Sequence, residues 1–101
     1  MEQMEFVDLF FSFASGAGYN VGRNRNGDRQ VDFKNKSLTD DFLRLLYQDI
    51  RRKKNRYTQA DCKQVVAGRP CAIAPFFEIA KSAGLCLETV EGSKKIYKFA
   101  L

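Results

Sequence analysis

The sequence predicts an α+β fold: a three-helix core closed by a C-terminal β-hairpin, preceded by an additional N-terminal helix and a short β-hairpin. Apolar residues recur at helical spacing in four separate segments, which predicts the helices. From Leu85 the period changes to alternation, which predicts the closing hairpin, and Asn26-Gly27 marks an earlier one. The 101 residues read as one domain, 1–101, with 1–36 as the helix-and-hairpin extension and 37–101 as the core. A chain of this size buries about two thirds of its unfolded surface. With 45% hydrophobic residues, nine phenylalanines and two prolines, that core is expected to be aromatic.

Gln3 to Ser15 should be a helix, because acidic residues occupy its first turn, where the dipole favours them, and Gly16 and Gly18 end it. Phe6, Phe10 and Phe13 with Leu9 make one buried stripe. Val7 and Phe11, on the other side, ask for a second neighbour. Either the helix is sandwiched inside the fold, or Val7, Phe10 and Phe11 form a homodimer interface. Ala17 to Lys34 is polar, with a three-residue loop Arg25-Asn26-Gly27 that pairs Val21 with Val31 and Tyr19 with Phe33. Arg23, Arg25 and Arg29 then gather at the far end, as a solvated tip or as additional phosphate contacts.

Ser37 is expected to cap the longest helix, with Asp40 at its third position. Leu38, Phe42, Leu45, Leu46 and Ile50 form its stripe, and Arg51, Arg52, Lys53, Lys54 and Arg56 crowd its end. Cations there stabilise by about 0.3 to 1 kcal/mol each, but five within six residues exceed that need and suggest polyanion contact.

Thr58 and Asp61 read as a capping box that starts a short helix, with Cys62, Val65 and Val66 as its apolar side and Gly68 as its stop. Arg69-Pro70 turns the chain. Ile73, Phe76, Phe77, Ala80 and Ala83 then recur at helical spacing, predicting a helix from Pro75 to Ala83, with Pro75 at the first position and Gly84 beyond the end. In the hairpin that follows, Leu87 opposite Phe99 and Val90 opposite Ile96 give every apolar residue an apolar partner. The other even register, Leu87 opposite Tyr97, is almost as good, whereas odd registers would set Leu87 against a lysine. The expected tip is Glu91-Gly92-Ser93-Lys94-Lys95.

Over about 45 residues, Tyr57 to Leu101, this order of helix, turn, helix and hairpin resembles the winged helix-turn-helix superfamily. The resemblance implies a second helix lying toward the DNA major groove and a hairpin wing touching the backbone. It also implies phosphate contacts at the start of the first short helix. The outward positions of the second helix are Ala74, Pro75, Glu78, Lys81 and Ser82, which offer none of the arginine, asparagine or glutamine donors that read base edges. Contacts are therefore expected mainly to phosphates.

Charge points the same way. The formal net charge is +5, but residues 1–50 carry six Lys+Arg against eight Asp+Glu, and residues 51–101 carry eleven against four. Such asymmetry suggests a polyanionic partner. The expected DNA contacts are Arg51, Arg52, Lys53, Lys54, Arg56, Thr58, Gln59, Lys63, Arg69, Lys81, Lys94, Lys95 and Lys98. A double-stranded DNA-binding module, either a small regulator or the anchoring domain of a replication or nuclease system, is the leading expectation. A protein-interaction module on the same fold, an adaptor or inhibitor, is the alternative.

Cysteines 62, 71 and 86 lack Cys-x-x-Cys spacing, and the chain has no histidine to complete a zinc tetrad. They read as buried thiols, which fits a reducing compartment such as the cytoplasm. The apolar stretch from Phe6 to Ala14 is too short for a membrane span and is flanked by Glu2, Glu5 and Asp8, so neither a signal peptide nor an anchor is expected. With no phosphate-cradling glycine loop, no nucleophile elbow and carboxylates clustered only at Asp40, Asp41 and Asp49, no catalysis, metal or cofactor is expected.

Overall fold

A computed structural model describes residues 1–67 and 72–101. The described residues form four helices and two small antiparallel sheets of three strands each. The expected stop at Gly68, the Arg69-Pro70 turn and Cys71 lie outside the described residues.

Helix α1 spans Gln3–Gly16. Beyond its end Gly18 takes φ 90°, and the amides of Gly18 and Tyr19 bond back to the carbonyls of Ser15 and Ala14. Phe6, Val7 and Phe10 are fully buried and Phe11 is 3% exposed. Val7, Phe10 and Phe11, expected either inside the fold or at a homodimer interface, are therefore covered from within the chain and leave no exposed aromatic patch there. The second neighbour that α1 required is supplied by α2, α4 and the first sheet. Leu9, expected on the stripe, is instead 43% exposed.

Strands β1 (Asn20–Arg23) and β2 (Arg29–Phe33) pair with Val21 opposite Val31, as the sequence predicts. The Tyr19 and Phe33 rings meet edge to face at 5.7 Å. A third strand, β3 (Lys36–Thr39), pairs with β2 through a two-residue Lys34-Asn35 turn and buries Leu38 against Val31. The division expected between residues 36 and 37 thus falls inside a strand.

Because β3 takes Ser37 and Leu38, α2 starts later than expected, at Asp40, and runs to Arg52. Its cap is Thr39, whose Oγ1 accepts the Phe42 amide at 3.2 Å, and Asp40 is its first residue, not its third. The buried face is Phe42, Leu43, Leu46, Tyr47 and Ile50, while Leu45 is 39% exposed. Lys54 and Asn55 end the helix with φ 57° and 65°, and their amides bond to Arg51 and Ile50.

A two-residue strand, β4 (Arg56–Tyr57), leads into α3 (Gln59–Val66). The Thr58–Asp61 capping box is present, and Cys62 and Val66 are buried. Helix α4 spans Ile73–Ser82, placing Pro75 third in its first turn, where an amide proton has no partner to lose. Gly84, at φ 75°, closes it: the Gly84 and Leu85 amides return to Lys81 and Ala80.

The second sheet has the order β4-β6-β5, with β5 at Cys86–Glu91 and β6 at Lys94–Phe99. Its register is odd. Leu87 faces Lys98 and Glu88 faces Tyr97, contrary to the expected pairing of Leu87 with Phe99. Two features select this register. Gly92, at φ 66°, makes a two-residue turn with Ser93, so Glu91 pairs Lys94 and the lysines join the strand instead of forming the tip. And the core takes Cys86, Tyr97 and Phe99, with Tyr57 from β4, leaving Leu87 73% and Val90 64% exposed.

The core is aromatic throughout. Phe77 stacks on Tyr97 at 4.2 Å, and Phe76 lies between Phe10 at 5.6 Å and Phe99 at 6.1 Å, joining α1, α4 and β6. Tyr57 is fully buried and donates its hydroxyl to Asp49 Oδ2 at 2.6 Å; Asp49 and Asp40 are the two buried carboxylates among the described residues. Among the described residues no helix is long and apolar enough to cross a membrane.

Candidate functional site

The expected contact residues separate into three groups by what surrounds each charge. Most of the dense run at the end of α2 is already matched. Arg51 lies over the Tyr47 ring at 5.8 Å and donates to its hydroxyl, Arg52 pairs with Asp49 at 3.2 Å, and Lys53 pairs with Asp61 at 3.2 Å. Arg56 places one guanidinium nitrogen 2.9 Å from both oxygens of Glu91. Lys81 bridges Glu88 at 3.3 Å and Glu78 at 3.6 Å. The Glu88 hydrogen bond, aided by both charges, holds the Lys81 ammonium above its ordinary pKa and keeps Glu88 below the usual carboxylate range. Lys54 is exposed, with no ion pair among the described residues.

The N-terminal arginines divide too. Arg29 reaches Asp8 at 2.8 Å and Asp40 at 2.9 Å, and its guanidinium lies 5.0 Å from the centre of the Phe11 ring. Burial opposes its charge, but the bonds to Asp40 and Asp8 outweigh that and raise its pKa. Arg29 therefore locks the first sheet to α1 and α2, and is corrected from a phosphate contact to an internal tie. Arg23 donates to the Gly27 carbonyl and Arg25 is exposed at the tip.

The third group surrounds the start of α3. A groove of about 480 Å³ runs between Thr58, Gln59 and Ala60 on one wall and Ser93, Lys94 and Lys95 on the other. The capping box sets that wall: Thr58 Oγ1 accepts the Asp61 amide at 3.1 Å, and Asp61 Oδ2 accepts the Thr58 amide at 2.9 Å. Thr58 thus retains only its hydroxyl proton for a ligand. Burial works against the Asp61 charge, but the Thr58 bonds and the Lys53 ammonium hold its pKa below the usual range. Lys63 is exposed one turn beyond Gln59. Lys98 lies opposite Arg56 and Leu87, on the outer face of the sheet.

A second groove, of about 520 Å³, shares Gln59 with the first. Lys63, Lys34, Asn35 and Lys36 line it together with Phe33 and the Ala72–Pro75 segment at the start of α4. Among the described residues the two grooves hold five lysines in their walls and no carboxylate, and none of the five has an ion pair. Lys34 and Lys36 were not among the sequence-based candidates. The signal for them was the polar Lys34-Asn35-Lys36 triplet between Phe33 and Leu38, a turn between two strands. Arg69 lies outside the described residues.

No protein-family model, no curated protein and no solved structure matches this chain.

Proposed function

We propose that the chain is a double-stranded DNA-binding module that grips mainly the phosphate backbone, as a small regulator or the anchoring domain of a replication or nuclease system. The observation that carries this is the groove between α3 and the β5–β6 hairpin, lined by Lys94 and Lys95 and adjoined by Lys63, three lysines without an ion pair among the described residues, whereas Arg52, Lys53 and Arg56 at or just beyond the end of α2 are each paired with a carboxylate. Cations kept together without counter-charges repel one another, and a phosphate backbone relieves that cost. The order α2, β4, α3, α4, β5, β6 supports a winged-helix reading, with the hairpin as wing. The outward face of α4, with Ala74, Glu78 and Ser82 exposed, supports backbone gripping over base reading.

Fluorescence anisotropy of a mixed-sequence duplex across a salt series tests this. The log-log slope of affinity on salt should be clearly negative, at about −0.9 per phosphate contacted. The triple variant K63E/K94E/K95E should remove most of the binding. A slope near zero, or a triple variant that binds like the parent chain, overturns the proposal. Leu87 and Val90, 73% and 64% exposed on the hairpin, favour the second reading, a protein-interaction module. Absence of duplex binding would make that reading the better one.

A further inference from the structure

We propose that the Lys34-Asn35-Lys36 turn is a second arm of this interface, gripping the phosphodiester backbone of the same duplex beside the start of α4. The inference rests on the DNA-binding reading and extends it to a part of the fold that lies outside the winged-helix order of elements. Three observations carry it.

The first is charge. Lys34, Lys36 and Lys63 share the rim of the 520 Å³ groove with no carboxylate among its described lining residues. The carboxylate nearest in sequence, Asp32, shares a smaller groove with Lys34 and Lys36 on the other side of the turn, but its hydrogen-bond partner is the Gln30 side-chain amide at 2.6 Å, and it forms no ion pair with either lysine. In the same region Arg29 and Arg44 are matched to Asp8, Asp40 and Asp41. Among the described residues, five lysines without an ion pair line the two grooves, and Lys54 and Lys98 lie outside both.

The second is continuity. Gln59 belongs to both grooves, so the first turn of α3 has Lys94 and Lys95 on one side and Lys34 and Lys36 on the other. A single mononucleotide would leave one wall unused, whereas a duplex backbone can follow both. The apolar Phe33, Ile73 and Pro75 suit the sugar edges between phosphates.

The third is rigidity. The turn is only Lys34-Asn35, closed by the Phe33–Lys36 pair, and Phe33 packs on Tyr19 while Val31 and Leu38 are fully buried behind it. Arg29 ties the sheet to two helices. The lysines are thus presented by an ordered strand pair, which lowers the entropy cost of using them.

The test compares salt slopes of duplex binding for the parent chain, K34A/K36A and K94A/K95A, with K34R/K36R as the charge-preserving control. Each alanine pair should make the slope shallower by about 1.8, and the arginine pair should restore it. All variants should keep the parent's circular dichroism melt, since both lysines of the turn are exposed. A K34A/K36A slope equal to the parent's, with K94A/K95A made shallower, overturns the second arm and leaves the DNA-binding reading standing. A parent chain with no salt-dependent duplex binding overturns both.

Discussion

Tyr57 shows how a buried tyrosine ties two elements together. Its ring is fully buried between Phe77 and Phe99, and its hydroxyl satisfies Asp49, itself 8% exposed. Burial first, then the Asp49 bond and charge, push its pKa far above the usual phenol value. Tyr57→Phe leaves the Asp49 oxygen short of a donor and should cost about 1 to 3 kcal/mol in urea unfolding. The sign of the alkaline effect follows from the same shift. The folded phenol keeps its proton where the unfolded one loses it, so stability is intact below about pH 10 and falls above it. Tyr57→Phe should remove that part of the fall, and an unchanged alkaline profile would refute the assignment. The partner of Tyr57, Asp49, eight positions back on α2, is brought to it only by packing.

Elements with local punctuation were the legible ones. α1 ends at its glycines, α3 begins at its capping box, and Val21 meets Val31 as the Asn26-Gly27 loop requires. The closing hairpin was not legible in the same way. Matching apolar partners across strands favours Leu87 against Phe99, yet the Gly92-Ser93 turn and the core's demand for Cys86, Tyr97 and Phe99 select the register one residue away. Truncation separates the two registers. In the observed one, Leu87→Lys should change stability by no more than about 0.5 kcal/mol, since that side chain is already in water. Phe99→Ala should cost about 3 to 5 kcal/mol. A Leu87→Lys loss as large as that of Phe99→Ala would restore the even register. β3 was missed because Ser37 is a capping residue by type, and only its pairing opposite Asp32 of β2 leaves the cap of α2 to Thr39.

For the molecule as a whole, the carboxylates that tie elements together set the acid limit of the fold. Asp61 joins the start of α3 to the end of α2 through Lys53, and Glu88 joins β5 to α4 through Lys81. Both have folded pKa values held below the ordinary range. The unfolded chain therefore binds protons first as pH falls, so the stability these groups contribute is present above about pH 5 and lost on acidification through their folded values. Thermal unfolding followed between pH 6 and pH 3 should show that decline, and Asp61→Asn should flatten it; an equally steep profile in the variant would exclude Asp61 as a source. The same pairing reshapes the charge map. The run from Arg51 to Arg56 is the densest in the sequence, but Asp49, Asp61 and Glu91 offset much of it, whereas scattered Lys34, Lys36, Lys63, Lys94 and Lys95 gather around two joined grooves. By itself the sequence determined the α+β class, the aromatic core, the capping box of α3 and the basic bias of the second half, because helix punctuation, periodicity and composition are local quantities. Tertiary structure alone decided the hairpin register, the third strand of the first sheet and which cations stay unmatched, because each depends on what residues distant in the chain bring to the same place.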